Sequence, residues 1–344
     1  MSMVGASRRA ARSAVLPVSV GLCALGTLAV PAGAAPTGAA LPTLAAPRLA
    51  FDADVPDPSV LEVGSTTYVY STNVTDQRVP VMSSTDLVHW HQLGDAMAFL
   101  PAWASDAFGF SWAPDVAVDP AGGYQLFFDA LDRATGTLCI GRATAPGPAG
   151  PFVDTSAAPL VCPPGGAIDP DLFTQGPVAE LLWKSDGEQG QPQALWGQPL
   201  DAADRTLTGH PTELLAASAP WEDGIVEGPD LVDLDGHLDL LFSAGRWDTA
   251  TYTLGVAACA GPLGPCDAAA AAPLLEHGSG FSGAGGPSAF DDHGTETVAF
   301  AAWSGDRVTG GHRALYLADL VGATDDAAHD TAALVAPATP GHRP

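Results

Sequence analysis

The sequence predicts an all-β fold, a five-bladed β-propeller built as a single domain, on three observations. A short word centred on proline recurs five times at a nearly constant spacing. Most copies are followed by a tight turn and a second apolar run. No unit between copies carries a long segment of helical period.

The copies read "DPSVL" from Asp57, "APDVA" from Ala113, "DPDLF" from Asp169, "GPDLV" from Gly228 and "GPSAF" from Gly286. Their prolines, Pro58, Pro114, Pro170, Pro229 and Pro287, lie 56, 56, 59 and 58 residues apart. The second runs are "EVGSTTYVYST", "DPAGGYQLFFDA", "DLDGHLDLLFSA" and "DDHGTETVAFAAW", where Asp-Gly and Gly-Gly pairs between alternating segments signal hairpins. A repeat of roughly 57 residues holds about four short strands, the content of one propeller blade.

Taken in chain order, residues 1–34 read as a signal peptide. "RRAAR" precedes the apolar run "SAVLPVSVGLCALGTLAV" and the small-residue site Ala32-Gly33-Ala34, so cleavage after Ala34 and export are expected. Cys23 lies in that apolar run, but Leu22 before it is too large for a good lipoprotein site. Residues 35–49 are rich in Ala and Pro and are expected to be loose, residues 50–321 to form the propeller, and residues 322–344 to be a flexible tail. No segment after the leader has the 18 consecutive apolar residues of a membrane span.

Composition narrows the partners. With 39 Gly and 31 Pro the chain suits many tight turns. A formal charge of −26 argues against nucleic acid and anionic membrane surfaces. A monomer without a required cofactor is expected. The chain holds a single lysine, Lys184.

Four cysteines remain after the leader: Cys139, Cys162, Cys259 and Cys266. In an exported chain an even count favours disulfides, and pairing within a blade selects Cys139 with Cys162 and Cys259 with Cys266 among three connectivities. A zinc site would want paired CxxC spacing, which is absent.

The stretch "GAIDPDLF" sets aspartates on either side of a proline inside an apolar run, where an unpaired carboxylate is costly to bury. A propeller resolves this, because the innermost strand of every blade lines the central channel. Asp57, Ala113, Asp169, Gly228 and Gly286 should therefore converge, with Glu227 one residue ahead of the fourth proline word. Three carboxylates and small neighbours make a pocket. Such a set suits glycosidic bond cleavage, which needs one acid to protonate the leaving oxygen and one base to activate water. A third carboxylate raises the proton affinity of the donor by like-charge repulsion.

The motifs "VPDPSV", "SWAPDVA", "GAIDPDLF", "WKSDG" and "IVEGPDL", in this order, closely resemble glycoside hydrolase family 43 over about Asp54 to Leu320. That family consists of five-bladed propellers, inverting enzymes that act on arabinose- and xylose-containing polysaccharides. The resemblance implies general base Asp57, general acid Glu227 and a tuning carboxylate at Asp169. It also places Trp112, and with it Phe110, at the pocket as sugar-stacking aromatics. Asp86 and Trp90 in "SSTDLVHW" read as structural, as does Arg313 in the closing strand. Lys184 and Asp186 match a recurring third-blade motif, and Lys184 is expected to pair with a carboxylate. Many members carry Gly-His-Asn at the start of blade five, whose histidine helps hold a calcium ion or water cluster. Here Gly285-Gly286-Pro287 stands in its place, which puts that calcium in question, and His293 and His312 fall elsewhere. The competing readings are a catalytically silent sugar-binding propeller and a retaining, fructan-active five-bladed relative.

Overall fold

Each copy of the proline word falls on the innermost strand of one antiparallel sheet, at its start or within it. The structure, a computed structural model, describes residues 41–322 apart from 75, 106–109, 186–192, 202–205, 270, 276–280 and 305–310. The leader, the tail beyond residue 322 and Asp186 lie outside the described residues. Strand β1 (Thr43–Phe51) comes first. Blade one follows as β2 (Ser59–Val63), β3 (Thr66–Tyr70), β4 (Pro80–Ser84) and β5 (His91–Asp95). Blade two is β6 (Trp112–Val118), β7 (Tyr124–Leu131) and β8 (Leu138–Ala145). Blade three is β9 (Ala167–Gln175), β10 (Val178–Ser185), β11 (Ala194–Pro199) and β12 (Thr212–Ala216). Blade four is β13 (Val226–Leu234), β14 (His237–Ala244), β15 (Thr253–Cys259) and β16 (Ala272–Pro273). Blade five is β17 (Phe281–Asp292), β18 (Thr295–Ser304) and β19 (Arg313–Val321).

Two details depart from the sequence expectation. Blade two forms a three-stranded sheet, its fourth position filled by isolated bridges from Val153 to Thr144 and from Val161 to Ile140. Residues 43–49 are not loose. They belong to β1, which pairs antiparallel with β19 and supplies the outer strand of blade five. An edge strand left unpaired exposes a row of backbone donors and acceptors, and joining the start of the chain to its last blade covers the edge of β19 and ties blade one to blade five.

The core is five separate layers, one at each junction between blades. Leu126 and Phe128 of β7 pack toward blade one with Tyr70 and Val81, whereas the intervening Phe127 packs toward blade three with Leu181. In β14, Leu240 and Phe242 face blade three while Leu241 faces Phe300 of blade five. The fifth layer joins Val69 and Met82 of blade one to Leu315 and Leu317 of β19. A strand buried on both faces reads as a continuous apolar run because its alternate side chains serve two layers. The pairs Cys139–Cys162 and Cys259–Cys266 form disulfides, each within one blade.

A ring of hydrogen bonds ties the innermost strands together near the axis. The residue after each proline accepts from the backbone N–H two places after the proline of the next blade. Ser59 Oγ accepts from Val116 at 3.1 Å, Asp115 Oδ2 from Leu172 at 3.0 Å and Asp171 Oδ2 from Leu231 at 3.5 Å. Asp230 Oδ2 accepts from Ala289, and Ser288 Oγ closes the circle by accepting from Val60 at 3.0 Å. The proline word repeats because each blade must contribute both a donor and an acceptor to this ring.

Candidate active site

The residue before each proline has positive φ: 49° at Asp57, 38° at Ala113, 57° at Asp169, 54° at Gly228 and 66° at Gly286. Such a backbone suits glycine and is costly for other residues, and strain of this kind gathers at functional sites. Pairing slips at the same place in blades two to five, between Trp112 and Asp115, opposite Leu182 and Lys184, between Glu227 and Asp230, and between Gly285 and Ser288. A bulge of this kind re-aims side chains that a regular pleat would direct into a layer. The carboxylates of "GAIDPDLF" therefore reach the channel and not the apolar core.

They meet in a cavity of about 400 Å³ whose wall includes Asp57, Trp112, Asp169, Lys184, Glu227 and Arg313. Asp57 Oδ2 accepts a 2.6 Å hydrogen bond from Thr72 Oγ1, which in turn accepts from the Ala113 N–H at 2.7 Å. Arg313 Nη2 lies 3.3 Å from Asp57 Oδ1 and is itself fixed by its backbone N–H donating to Asp54 Oδ1 at 2.9 Å. These contacts hold the carboxylate of Asp57 in one orientation.

Asp169 is more deeply placed. Its Oδ2 accepts from the Gly228 N–H at 2.9 Å, while its own N–H donates to Asp129 Oδ2 at 3.0 Å. Burial, and next the negative charge of Glu227, push the Asp169 carboxyl up to about 7, with Lys184 opposing the rise.

Glu227 is gripped at both oxygens. Lys184 Nζ donates to Oε2 at 2.7 Å and Tyr252 Oη donates to Oε1 at 2.7 Å. Lys184 thus pairs with a carboxylate, as expected of the lone lysine, and both members of the pair are largely buried. Tyr252 lies directly against Gly285, where an added Cβ would stand 1.9 Å from Tyr252 Cε1. The need for glycine at 285 is thereby explained: the space beside it belongs to the phenol ring that holds Glu227.

His293 sits in the turn between β17 and β18, and His312 pairs with Asp52 at 2.8 Å. Among the described residues the one cluster of three His, Cys, Asp or Glu side chains with closely gathered ligand atoms is Asp132, Cys139 and Cys162, and both of its sulfurs are taken by a disulfide.

The aromatic residues divide. Trp112 opens β6 and lines the cavity, whereas Phe110 is 40% exposed and stands outside the cavity wall. Sequence reasoning passed over Trp247, which lines the cavity while 53% exposed, stacks on Trp303 with ring centroids 6.4 Å apart, and lies 5.5 Å from the Arg313 guanidinium carbon. Trp247 and Tyr252 both come from the connection between β14 and β15, outside any copy of the repeated word. Asp86 behaves as a turn residue, accepting from the backbone of Val88 and His89, and Trp90 packs beside the layer between blades one and five.

Comparison with known proteins agrees with this architecture. The family model of glycosyl hydrolases family 43 matches residues 50–326. The arabinoxylan arabinofuranohydrolase of Bacillus subtilis (strain 168) is 31% identical over 168 residues, which cover 41% of this chain and 32% of that protein. The chain therefore matches about a third of the length of that curated relative. Among solved structures, a thermostable family-43 glycoside hydrolase superposes with a TM-score of 0.69 at 24% identity, covering 77% of this chain and 89% of its own. An endo-1,4-β-xylanase from Bacteroides thetaiotaomicron gives 0.64 at 24% identity, covering 80% and 92%. An endo-arabinase from the same organism gives 0.63 at 19% identity, covering 79% and 97%, and these likenesses establish the shared fold. By the match over residues 50–326, the chain belongs to glycosyl hydrolases family 43.

Proposed function

We propose that this chain is a secreted, inverting glycoside hydrolase that cleaves arabinose- or xylose-containing plant polysaccharides or their oligosaccharides. The observation that carries the reading is the convergence of Asp57, Asp169 and Glu227 from blades one, three and four on one cavity. The arabinofuranohydrolase, arabinase and xylanase names of its relatives supply the substrate class. Export is supported by the leader motif and is compatible with the two disulfides.

The roles follow from what each carboxylate touches. Asp57, oriented by Arg313 and Thr72, is the general base that takes a proton from the attacking water. Glu227 is the general acid, and its carboxyl must be protonated when the leaving oxygen departs. Asp169, which lines the same cavity and accepts from the backbone N–H of Gly228 next to Glu227, is the third carboxylate that tunes and orients the donor. Trp112 offers an aromatic face for the pentose.

Because Asp57 and Glu227 come from blades one and four, on different sides of the channel, the reaction is a single displacement by water. Hydrolysis of arabinan, arabinoxylan, xylan and aryl pentosides, followed by proton NMR of the first-formed sugar, tests this. An inverted anomer is expected. A retained anomer would point to a nucleophile and remove the mechanism, and binding without hydrolysis would favour a silent sugar-binding propeller.

A further inference from the structure

Among the described residues, Phe99, Phe110 and Trp247 are the aromatic side chains left largely exposed. Phe99 and Phe110 stand on the connection from β5 to β6, and Trp247 stands on that from β14 to β15. Both connections lie at the end of the propeller where the cavity opens, since β6 starts there with Trp112 and β14 ends there opposite Glu227. Exposed apolar residues scattered singly are ordinary, but these rings gather at one end. Each is carried on anchored backbone. Arg78 Nη1 donates to the Ala98 carbonyl at 3.1 Å beside Phe99, and the Asn73 N–H donates to the Ser111 carbonyl at 3.1 Å beside Phe110. Trp303 Nε1 donates to the Trp247 carbonyl at 3.3 Å, and Gly283 clears space for that loop, since an added Cβ would stand 2.6 Å from the Thr249 carbonyl oxygen. Platforms fixed before binding lose little freedom when a ligand arrives.

The first connection joins blade one to blade two, whereas Trp247 leans from blade four onto Trp303 and Arg313 of blade five. Around a five-bladed ring these positions flank the cavity from opposite sides. Phe99 and Phe110 stand outside the cavity wall, so a sugar held against Asp57, Asp169 and Glu227 leaves them to its neighbours in a longer chain. We propose that Phe99 and Phe110 on one side and Trp247 on the other are outer sugar-binding platforms, and that the substrate is a chain of several sugars lying across the mouth on both sides of the cavity. The inference rests on the reading of the cavity as a glycosidase site and adds the length and placement of what it cleaves. The apolar face of a sugar ring stacks on an aromatic ring without needing charge, which suits a neutral polysaccharide.

Two measurements test this. On arabinan and xylan oligosaccharides of increasing length, wild-type kcat/KM should rise as added sugars reach each platform, by about 3–10-fold per platform. Phe99→Ala and Trp247→Ala should each remove about that factor on long chains and flatten the rise. Acting on opposite sides, their losses should multiply in the double variant. Val118→Ala, which truncates an exposed residue at the end of β6 away from the cavity, should leave the dependence on length unchanged. A wild-type kcat/KM independent of chain length, or a Phe99→Ala protein with the wild-type dependence, would overturn the proposal. The second measurement needs no catalysis: electrophoresis of the native protein through gels containing soluble arabinan or arabinoxylan. Retardation that the Phe99→Ala, Trp247→Ala double variant loses is expected, and unretarded migration of the wild-type chain in both gels would overturn the platforms. Failure to hydrolyse any pentoside would sink the enzymatic reading, while the gels would still decide whether the mouth holds a sugar chain.

Discussion

Gly285→Ala probes the grip on Glu227 without touching a polar atom. Gly285 does not have positive φ, so alanine suits its backbone, and the whole effect comes from a Cβ placed 1.9 Å from Tyr252 Cε1. No C–C contact survives at that distance, so the ring must shift, and with it Tyr252 Oη leaves Glu227 Oε1, now 2.7 Å away. A hydrogen bond to a charged acceptor contributes about 1.5–3 kcal/mol, which corresponds to a loss of about 10–150-fold in kcat/KM if the orientation matters in the transition state. Overpacking should also lower stability by about 1–3 kcal/mol, read as a lower Tm. Tyr252→Phe removes the same hydrogen bond without the clash and should show a similar activity loss at near-native Tm. Because the two changes act through one contact, the double variant should lose little more activity than either single one. Wild-type activity and Tm in Gly285→Ala, or fully additive losses in the double variant, would refute the proposed link between the glycine and Glu227.

Trp247→Ala should raise KM for oligosaccharides by about 3–10-fold with a smaller change in kcat, as expected for loss of an aromatic stacking face worth about 0.5–1.5 kcal/mol; a fall in Tm with KM unchanged would make Trp247 a structural residue only. Stability should fall as pH rises from about 4 to 7. Burial raises Asp115 to about 6 and Asp230 to about 7, so the folded chain binds more protons than the unfolded one across that window and loses stability as these groups ionise. Asp230→Asn, which keeps a carbonyl acceptor for the Ala289 N–H, should flatten the dependence measured by urea unfolding at a series of pH values.

The fold was legible because its defining feature is local. Every blade must turn its inner strand through a positive-φ residue before proline and offer an acceptor after it, so five near-identical words appear in the sequence. The three carboxylates were legible for the same reason, since they occupy equivalent places in that word or next to it. Strand β1 was hidden because its partner β19 lies some 270 residues away, and the Ala/Pro-rich stretch before it gives no periodic signal of its own. The missing fourth strand of blade two left no mark either, as isolated bridges impose no pattern on a loop. Trp247 and Tyr252 escaped notice because they stand on a connection that is not repeated. Their roles arise from contacts with Arg313, Glu227 and Gly285 on other strands. Phe110, two residues from Trp112, was assigned to the pocket by its proximity in sequence, yet a strand start aims only one of the two rings inward.

The division between proton donor and water activator is tested most directly by comparing Glu227→Ala and Asp57→Ala on two substrates. Natural pentosides have poor leaving groups and require protonation, so Glu227→Ala should slow their hydrolysis by about 10²–10⁴-fold or more. An aryl pentoside with a good leaving group needs little protonation and should be affected far less, whereas Asp57→Ala should impair both because each still requires an activated water. A folded Glu227→Ala protein that loses the two activities in equal proportion would contradict the assignment of Glu227 as the acid.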